Sequence, residues 1–223
     1  MAAAMPVDHA LLHALNGFLV HHDAVEDPLT VYVNAAEGLF AALLVTLFVL
    51  GAASGARRAA VAAGLATALA LGIGQVISRV VDRPRPFVSD PGGVRLFSHH
   101  AADPGFPSDH ATAAFAIAVS VLLWRRRPGL ALVALAAVLC VGRVAIGVHY
   151  PTDVVAGAAI GTLCALALDT PPARRAVDRL VALTPRVSVR RTTPPASGDS
   201  SPAPGSPDPA RSPSPAARSS SRA

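Results

Sequence analysis

The chain of 223 residues has no lysine, few aromatic residues and little charge. Phe, Trp and Tyr make up 4% of it, and charged residues make up 15%, against roughly 25% in soluble domains. These low values exclude an ordinary soluble core. The net charge of +5 comes from arginines that form no basic patch interleaved with aromatics, so nucleic acid is not expected as a partner. The two cysteines, Cys140 and Cys164, lie in apolar stretches without Cys-x-x-Cys spacing, and we predict that both are small apolar packing residues.

Long apolar runs dominate the rest of the sequence. Hydrophobic residues make up 52% of the chain, and a bilayer crossing needs about 20 of them in succession. Five runs approach this length: 39–53 with Ala35 and Ala36 before it, 59–77, 111–124, 130–148 and 154–168. The third and fifth are short, so we expect their helices to begin near Ser108 and near Tyr150. The sequence therefore predicts an all-α, multi-pass transmembrane bundle of five or six spans.

The N-terminal stretch VDHALLHALNGFLV decides between five and six spans. It has helical periodicity but also contains His9, His13 and Asn16. It is either a span, which is the interpretation we favour, or a helix that lies in the membrane interface.

The arginines predict the topology. Clusters at 57–58, 125–127 and 174–175 lie at every second boundary, and the positive-inside rule makes these boundaries cytoplasmic. Residues 79–110 and 148–153 then face the other side, together with the acidic stretch HHDAVEDP at 21–28. Both termini are cytoplasmic if the first segment spans the membrane.

Four parts of the chain follow from this pattern. Residues 1–34 form an N-terminal helix and outer loop, 35–169 the transmembrane core, and 170–184 a cytoplasmic juxtamembrane segment. Residues 185–223 are rich in Pro, Ser and Arg. We predict that this tail is disordered, because it cannot bury enough apolar area to offset the entropy lost on ordering.

Three polar clusters fall on the outer side in this topology: SRVVDRPRP at 78–86, FPSDH at 106–110 and GRVAIGVHYPTD at 142–153. Ionisable residues at the ends of membrane helices are costly and usually functional. We predict that Arg85 and Arg143 bind a phosphate, because guanidinium groups hold tetrahedral oxyanions through two hydrogen bonds. Arg79 and Arg83 either join that site or extend to lipid headgroups.

Acids and imidazoles in the second and third clusters suggest catalysis. His149 and Asp153 share a face if both are helical, and a carboxylate on one ring nitrogen leaves the other nitrogen basic and oriented. Ser108 can cap the next helix, whose free N–H groups form an anion site. His110 is placed to protonate a leaving oxygen. Asp109 either pairs with an arginine or points away from the phosphate.

Other polar residues give weaker signals. Glu37, at the outer start of a span, is either an interfacial residue or an acid that supports the site. Six histidines lack a carboxylate at a convincing spacing, and the last two are expected to be solvated in the outer loop: His9, His13, His21, His22, His99 and His100.

Together the three clusters resemble the signature of the type 2 phosphatidic acid phosphatase superfamily, which reads Lys-x6-Arg-Pro, Pro-Ser-Gly-His and Ser-Arg-x5-His-x3-Asp. The matching residues are Arg85 and Pro86, then Pro107, Ser108 and His110, then Arg143, His149 and Asp153. The chain departs from the signature at three positions: Ser78 replaces the lysine, Asp109 the glycine and Gly142 the serine. Asp109 and the N-terminal segment are similar to the bacterial undecaprenyl-diphosphatase branch.

The resemblance implies a hydrolase of the bacterial plasma membrane that converts undecaprenyl diphosphate to undecaprenyl phosphate and phosphate on the extracytoplasmic face, without a metal or cofactor. It implies a phosphohistidine at His149, with Asp153 orienting that ring and His110 protonating the leaving group. The phosphate-binding residues it implies are Arg85, Arg143 and Ser108, with Arg79 or Arg83 in place of the missing lysine.

Two alternatives stay open at this point. One is the same chemistry on another lipid, such as phosphatidic acid or phosphatidylglycerol phosphate. The other is a non-catalytic membrane protein that binds lipid headgroups through its arginines. The sequence predicts no oligomeric state.

Overall fold

The structure is a computed structural model that describes residues 5–51 and 55–184, and all regular structure in that part of the chain is helical. The predicted disordered tail, 185–223, lies outside the described residues. The helices are α1 (Pro6–Val20), α2 (Asp23–Leu50), α3 (Ala56–Val81), α4 (Pro86–Ser89), α5 (Asp109–Trp124), α6 (Arg126–Ala145), α7 (Pro151–Leu168) and α8 (Pro171–Leu183).

Five helices have the composition of membrane spans. The helices α2, α3, α6 and α7 are long and apolar enough to cross a bilayer, and α5 is a shorter apolar helix of 16 residues. At 1.5 Å per residue α5 extends about 24 Å, slightly less than the hydrocarbon core. The predicted all-α, multi-pass membrane architecture is confirmed.

Helix α5 lies at the centre of the bundle and packs against α3, α6 and α7. Its contact with α7 is close because glycines of α7 face it. A Cβ atom added at Gly157 would lie 2.5 Å from the Ser108 carbonyl oxygen and 2.8 Å from the Thr112 hydroxyl. Small residues allow this backbone approach between membrane helices. The larger core side chains between α2, α5 and α6 include Phe40, Ile117, Val121 and Leu139.

The starts of α5 and α7 agree with the sequence prediction. Ser108 is the N-cap of α5, and its hydroxyl accepts a hydrogen bond from the Ala111 N–H at 3.5 Å. Tyr150 precedes α7, which begins with Pro151, a residue suited to the first helical position.

Two predicted boundaries were wrong. The run 130–148 was expected to be helical throughout, but α6 ends at Ala145 because Gly147 adopts a left-handed φ of 85°. A Cβ atom there would also lie 2.7 Å from the Arg95 carbonyl oxygen. The acidic stretch 21–28 was expected to be an outer loop, whereas α2 begins at Asp23. Asp23 and Glu26 lie in its first turn, where carboxylates interact favourably with the helix dipole.

The favoured interpretation of the N-terminal segment as a sixth span needs correction. Helix α1 has only 15 residues, and its polar side chains bind the end of the bundle. Asn16 donates to the carbonyl oxygens of Arg95 and Ala145, both at 2.8 Å, and accepts from the Arg95 N–H at 2.9 Å. The helix therefore lies along this end, as an interfacial helix does. Its exposed apolar side chains are Val7, Leu11 and Phe18.

The arginine clusters gather at the opposite end of the bundle. Arg58, near the start of α3, pairs with Asp178 of α8 at 2.7 Å. The guanidinium carbon of Arg174 lies 4.8 Å from the ring centroid of Trp124, at the end of α5. The predicted juxtamembrane segment thus contains the amphipathic helix α8, which buries Val177 at that end.

Candidate active site

A polar cavity of about 510 Å³ lies where α3 ends and α5 begins. It brings together residues from all three polar clusters, which lie in different parts of the sequence. The predicted site residues that line it are Arg79, Arg85, Asp109, His110, Arg143 and His149. Ser78, at the position of the signature lysine, lines it as well.

His149 lies in the short loop before α7, with its ring held between a carbonyl group and two guanidinium groups. Its Nδ1 lies 2.9 Å from the Gly105 carbonyl oxygen. Its Nε2 lies 3.1 Å from Arg85 Nη1 and 3.3 Å from Arg143 Nη2. A carbonyl oxygen can only accept, so Nδ1 carries the hydrogen and the Nε2 lone pair faces the cavity.

Asp153 stands farther from this ring than the sequence suggested. Its Oδ2 lies 3.7 Å from His149 Nδ1 and accepts a 2.7 Å hydrogen bond from the Tyr150 N–H. His149 is not helical, so the contact does not come from a shared helix face as predicted. It arises because Asp153 is the third residue of α7 and reaches back over the helix start. The orienting groups are therefore the Gly105 carbonyl and the Asp153 carboxylate together.

The surroundings of His149 favour a neutral imidazole. The side chain is only 2% exposed. Burial, followed by the positive charges of Arg143 and Arg85, holds the pKa of His149 well below its usual range. A neutral ring with Nε2 unprotonated is the form that can attack an electrophile.

Arg85 is anchored at two points beside this ring. Its Nε donates to the Asp103 carboxylate at 3.0 Å, and its Nη1 donates to the Val148 carbonyl oxygen at 3.2 Å. Burial opposes ionisation of Asp103, but its hydrogen bond and attraction to Arg85 prevail and lower the pKa of that carboxyl. The chain thus fixes the guanidinium plane while leaving donors directed at His149.

His100 belongs to the cavity, contrary to the expectation that it is solvated. Its Nε2 lies 3.1 Å from Arg143 Nη2, and its Nδ1 lies 3.7 Å from Asp103 Oδ1. Burial, followed by the charge of Arg85, lowers the pKa of His100. The sequence signal was available in the three-residue spacing to Asp103, although that spacing alone is common.

The second cluster contributes His110 and Asp109 at the start of α5. His110 Nε2 lies 3.5 Å from Glu37 Oε2, so Glu37 approaches a site residue. Asp109 accepts a 3.0 Å hydrogen bond from Gln75 Nε2, a partner that the sequence analysis did not consider. Ser108 is fully buried and acts as a helix cap. It is not among the residues that line the cavity.

Arg83 takes a different position from the one predicted. It does not line the cavity, and its guanidinium donates to Asp8 at 2.7 Å and to Asp153 at 2.8 Å. It therefore serves neither the cavity nor lipid headgroups. Arg79, by contrast, lines the cavity at the end of α3. Asp8 could not be predicted as a site residue, because no local motif marks a residue on α1 as a partner of Arg83.

An apolar cavity of about 530 Å³ adjoins the polar one. It lies between α2, α3 and α5 and shares Gln75, Asp109 and His110 with the polar cavity. Its apolar lining includes Phe40, Leu44, Leu71, Ala113, Ile117 and Leu139. A polar chamber thus continues into an apolar one past His110.

Possible ligands for a metal ion are not clustered in the described residues. Within 5–51 and 55–184, no group of three or more His, Cys, Asp or Glu side chains is placed to hold one. The two cysteines are unpaired; Cys164 is buried beside Ala66 and Ala116, in agreement with the predicted packing role.

Comparison with known proteins identifies the class. The sequence profile of the PAP2 superfamily matches residues 59–172, just over half of the chain. The chain therefore belongs to the PAP2 superfamily of lipid phosphatases, as the three clusters suggested.

Individual relatives agree with this class. The chain is 32% identical to undecaprenyl-diphosphatase BcrC of Bacillus subtilis over 149 residues, which are 66% of this chain and 75% of the relative. It is 45% identical to the putative undecaprenyl-diphosphatase YbjG of Escherichia coli over 80 residues, 35% of this chain and 39% of that protein. The crystal structure of Aquifex aeolicus LpxE matches with a TM-score of 0.64 at 23% identity, covering 73% of this chain and 94% of that one. This last likeness shows the fold.

Proposed function

We propose that the chain hydrolyses undecaprenyl diphosphate to undecaprenyl phosphate and phosphate through a phosphohistidine at His149. The observation that carries the proposal is the polar cavity, which three imidazoles, those of His100, His110 and His149, line together with the buried guanidinium groups of Arg85 and Arg143. The name of the Bacillus subtilis relative, undecaprenyl-diphosphatase, supports this substrate.

Arg85 and Arg143 would hold the terminal phosphate. Both lie within 3.3 Å of His149 Nε2, so a phosphoryl group in contact with that nitrogen is within reach of both guanidinium groups. Phosphoryl transfer depends mainly on positioning and on stabilising charge at the equatorial oxygens. Arg79 stands at the same cavity and could supply the charge of the missing signature lysine.

His149 would then act as the nucleophile and His110 as the general acid and base. The Nε2 lone pair of His149 attacks phosphorus, and the bond from phosphorus to the bridging oxygen breaks. His110 gives a proton to that oxygen, which leaves with the lipid monophosphate. Water next attacks the phosphohistidine, gives a proton to His110, and releases phosphate and neutral His149. Both imidazoles thus return to their starting state.

The adjoining apolar cavity suits a lipid substrate. Its lining of Phe40, Leu44, Leu71 and Ile117 is apolar, and it meets the polar cavity at His110. A diphosphate bound at Arg85 and Arg143 would place its first isoprene units in this space. His110 would then stand at the junction of lipid and phosphate, where the leaving oxygen lies.

The arginine distribution supports an extracytoplasmic site. The clusters 57–58, 125–127 and 174–175 belong to the end of the bundle opposite the cavity, and the positive-inside rule makes that end cytoplasmic. With five spans, α1 lies on the same side as the site and α8 on the cytoplasmic side.

Phosphate release by the protein purified in detergent tests the proposal. The substrates are undecaprenyl diphosphate, phosphatidic acid and phosphatidylglycerol phosphate, each with and without EDTA. We expect the highest kcat/KM for the diphosphate, no loss with chelator, and no activity in His149→Ala. Preference for another lipid would overturn the proposed substrate. Inhibition by EDTA would contradict the metal-free mechanism, and an active His149→Ala would contradict the proposed enzyme activity.

A further inference from the structure

Asp8 is a buried acid on α1 with no part in the mechanism above. It is 2% exposed and belongs to an element that lies outside the matched region 59–172. Its Oδ1 accepts from the Thr152 N–H at 2.9 Å, and its Oδ2 accepts from the Thr152 hydroxyl and from Arg83 Nη2, both at 2.7 Å. Burying a charged carboxylate costs free energy unless the group is paired and hydrogen-bonded, as Asp8 is here.

Arg83 connects Asp8 to the Asp153 carboxylate, which lies behind His149. Its Nη1 donates to Asp153 Oδ1 at 2.8 Å while its Nη2 donates to Asp8, so one buried guanidinium is shared by two carboxylates. The ring of Tyr150 lies 4.3 Å from the guanidinium carbon and closes the third side. The side chains of Asp8, Arg83 and Asp153 are all almost fully buried.

Asp153 then reaches the nucleophile through its other oxygen. Oδ1 is held by Arg83, while Oδ2 binds the Tyr150 N–H and lies 3.7 Å from His149 Nδ1. Competition from Asp8 limits how far Arg83 can draw Asp153 away from the ring. If Asp8 lost its charge, Arg83 would interact with Asp153 alone. The Asp153 carboxylate would then attract a positively charged His149 less strongly.

We propose that Asp8 is a positioning residue for catalysis, which acts through Arg83 to fix the place and charge of the Asp153 carboxylate behind His149. The inference rests on the proposed function. It assigns a role in the reaction to α1, an element whose sequence suggested only a span or an interfacial helix.

The charges around His149 define the expected effect. The groups that face it are Arg85 from the loop after α3, His110 from α5, Arg143 from α6, and Asp153 from α7, with His100 behind Arg143. Asp153 is the one carboxylate in contact with the ring among the described residues. Weakening the attraction of Asp153 for this ring makes protonation of His149 less favourable. The fall of kcat/KM on the acid side of its pH profile, the acid limb, then moves to lower pH.

Asp8→Asn is the main variant, because it keeps the shape of the side chain and removes the charge. We expect kcat to fall about tenfold, with KM unchanged within twofold since Asp8 does not line the cavity, and the acid limb to move to lower pH. Asn16→Ala is the matched control. It removes other contacts that dock α1 but none to Arg83 or Asp153, so its acid limb should stay at the wild-type pH.

A double-mutant cycle separates action through Asp153 from general loosening. In an Asp153→Asn background with measurable residual activity, Asp8→Asn should cost nothing further. If the two losses multiply, or if Asn16→Ala and Asp8→Asn give the same kcat and the same pH profile, Asp8 is only a docking residue and the proposal is overturned.

Asp8→Glu covers the case in which the neutral variant does not fold. It keeps the charge, so its acid limb should coincide with that of the wild type even where kcat falls. A limb displaced to lower pH would contradict the proposal. Failure of the proposed function looks different, because wild type would then release no phosphate, or His149→Ala would be as active as wild type.

Discussion

Arg85 gives the sharpest prediction about the cavity. Its side chain is 6% exposed, and it is fixed by Asp103 at 3.0 Å and by the Val148 carbonyl at 3.2 Å. The same Nη1 lies 3.1 Å from His149 Nε2. A guanidinium held in this way needs little reorganisation when charge develops on a phosphoryl group, so its loss should fall mainly on kcat.

Arg85→Ala should lower kcat about 10²–10³-fold, or ~2.7–4 kcal/mol, the loss found when one preorganised donor to a transition state is removed. Arg85→Lys should recover little of this. A lysine keeps the charge, but its single ammonium cannot contact Asp103 and the phosphate in the same fork geometry. We therefore expect the lysine variant to remain about 10²-fold below wild type.

The assay is phosphate release from undecaprenyl diphosphate at saturating substrate, with kcat and KM measured separately. Arg95→Ala is the matched control, because Arg95 is an exposed arginine of the same outer segment and does not line the cavity. Its kcat should equal that of wild type within twofold. An Arg85→Ala enzyme with a kcat within tenfold of wild type, in a preparation where His149→Ala is inactive, would contradict the proposed role of Arg85 in binding the phosphoryl group.

Two further predictions concern helix packing and pH. Gly157→Val should destabilise the bundle by about 1–3 kcal/mol, because the new side chain would enter the space 2.5 Å from the Ser108 carbonyl, whereas Gly72→Val, with no atom within 4 Å of its added Cβ, should not. Thermal unfolding in detergent measures both, and equal melting temperatures would contradict the close packing of α5 and α7. Burial lowers the pKa of His149 in the folded protein, whereas in the unfolded chain the pKa is near 6.5. Below about pH 6.5 the unfolded chain therefore binds a proton that the folded protein does not, so the free energy of unfolding declines as pH falls below that value. The acid limb of kcat/KM should accordingly lie below pH 6.5, and a limb above that value would show that His149 is not the buried neutral base.

Most residues that line the polar cavity could be predicted from the sequence, because charged residues stand out against apolar helices. Arg143, His110 and His149 each interrupt or border a hydrophobic run, and ionisable groups in such places are rarely incidental. The start of α5 at its Ser108 cap could be predicted for a similar reason, since the capping residue and the change of composition coincide.

The missed features depend on contacts between distant segments. Asp8 meets Arg83 across 75 residues and Thr152 across 144, and neither spacing has a local pattern. The Gly105 carbonyl, which holds His149 Nδ1, is a backbone group and carries no sequence signal at all. Arg83 was grouped with the phosphate-binding arginines because residue type shows charge but does not show which partner takes it.

The end of α6 was misplaced for a different reason. Hydropathy stays high through Val148, so the run 130–148 reads as one helix, whereas the backbone at Gly147 turns into a left-handed conformation. That turn lifts His149 out of the helix and places it against Gly105. From the sequence alone, a single glycine in an apolar run is equally consistent with a helix end and with close packing inside a helix.

Covalent trapping of a phosphoryl group on His149 is the most direct test of the proposed phosphohistidine. The protein is mixed with undecaprenyl diphosphate radiolabelled in its terminal phosphate and quenched in alkali during the first turnover, because phosphohistidine survives base. We expect label on the peptide that contains His149, and none in His149→Ala. Phosphate released to solution without label ever appearing on the protein, or label on His110 instead, would contradict it.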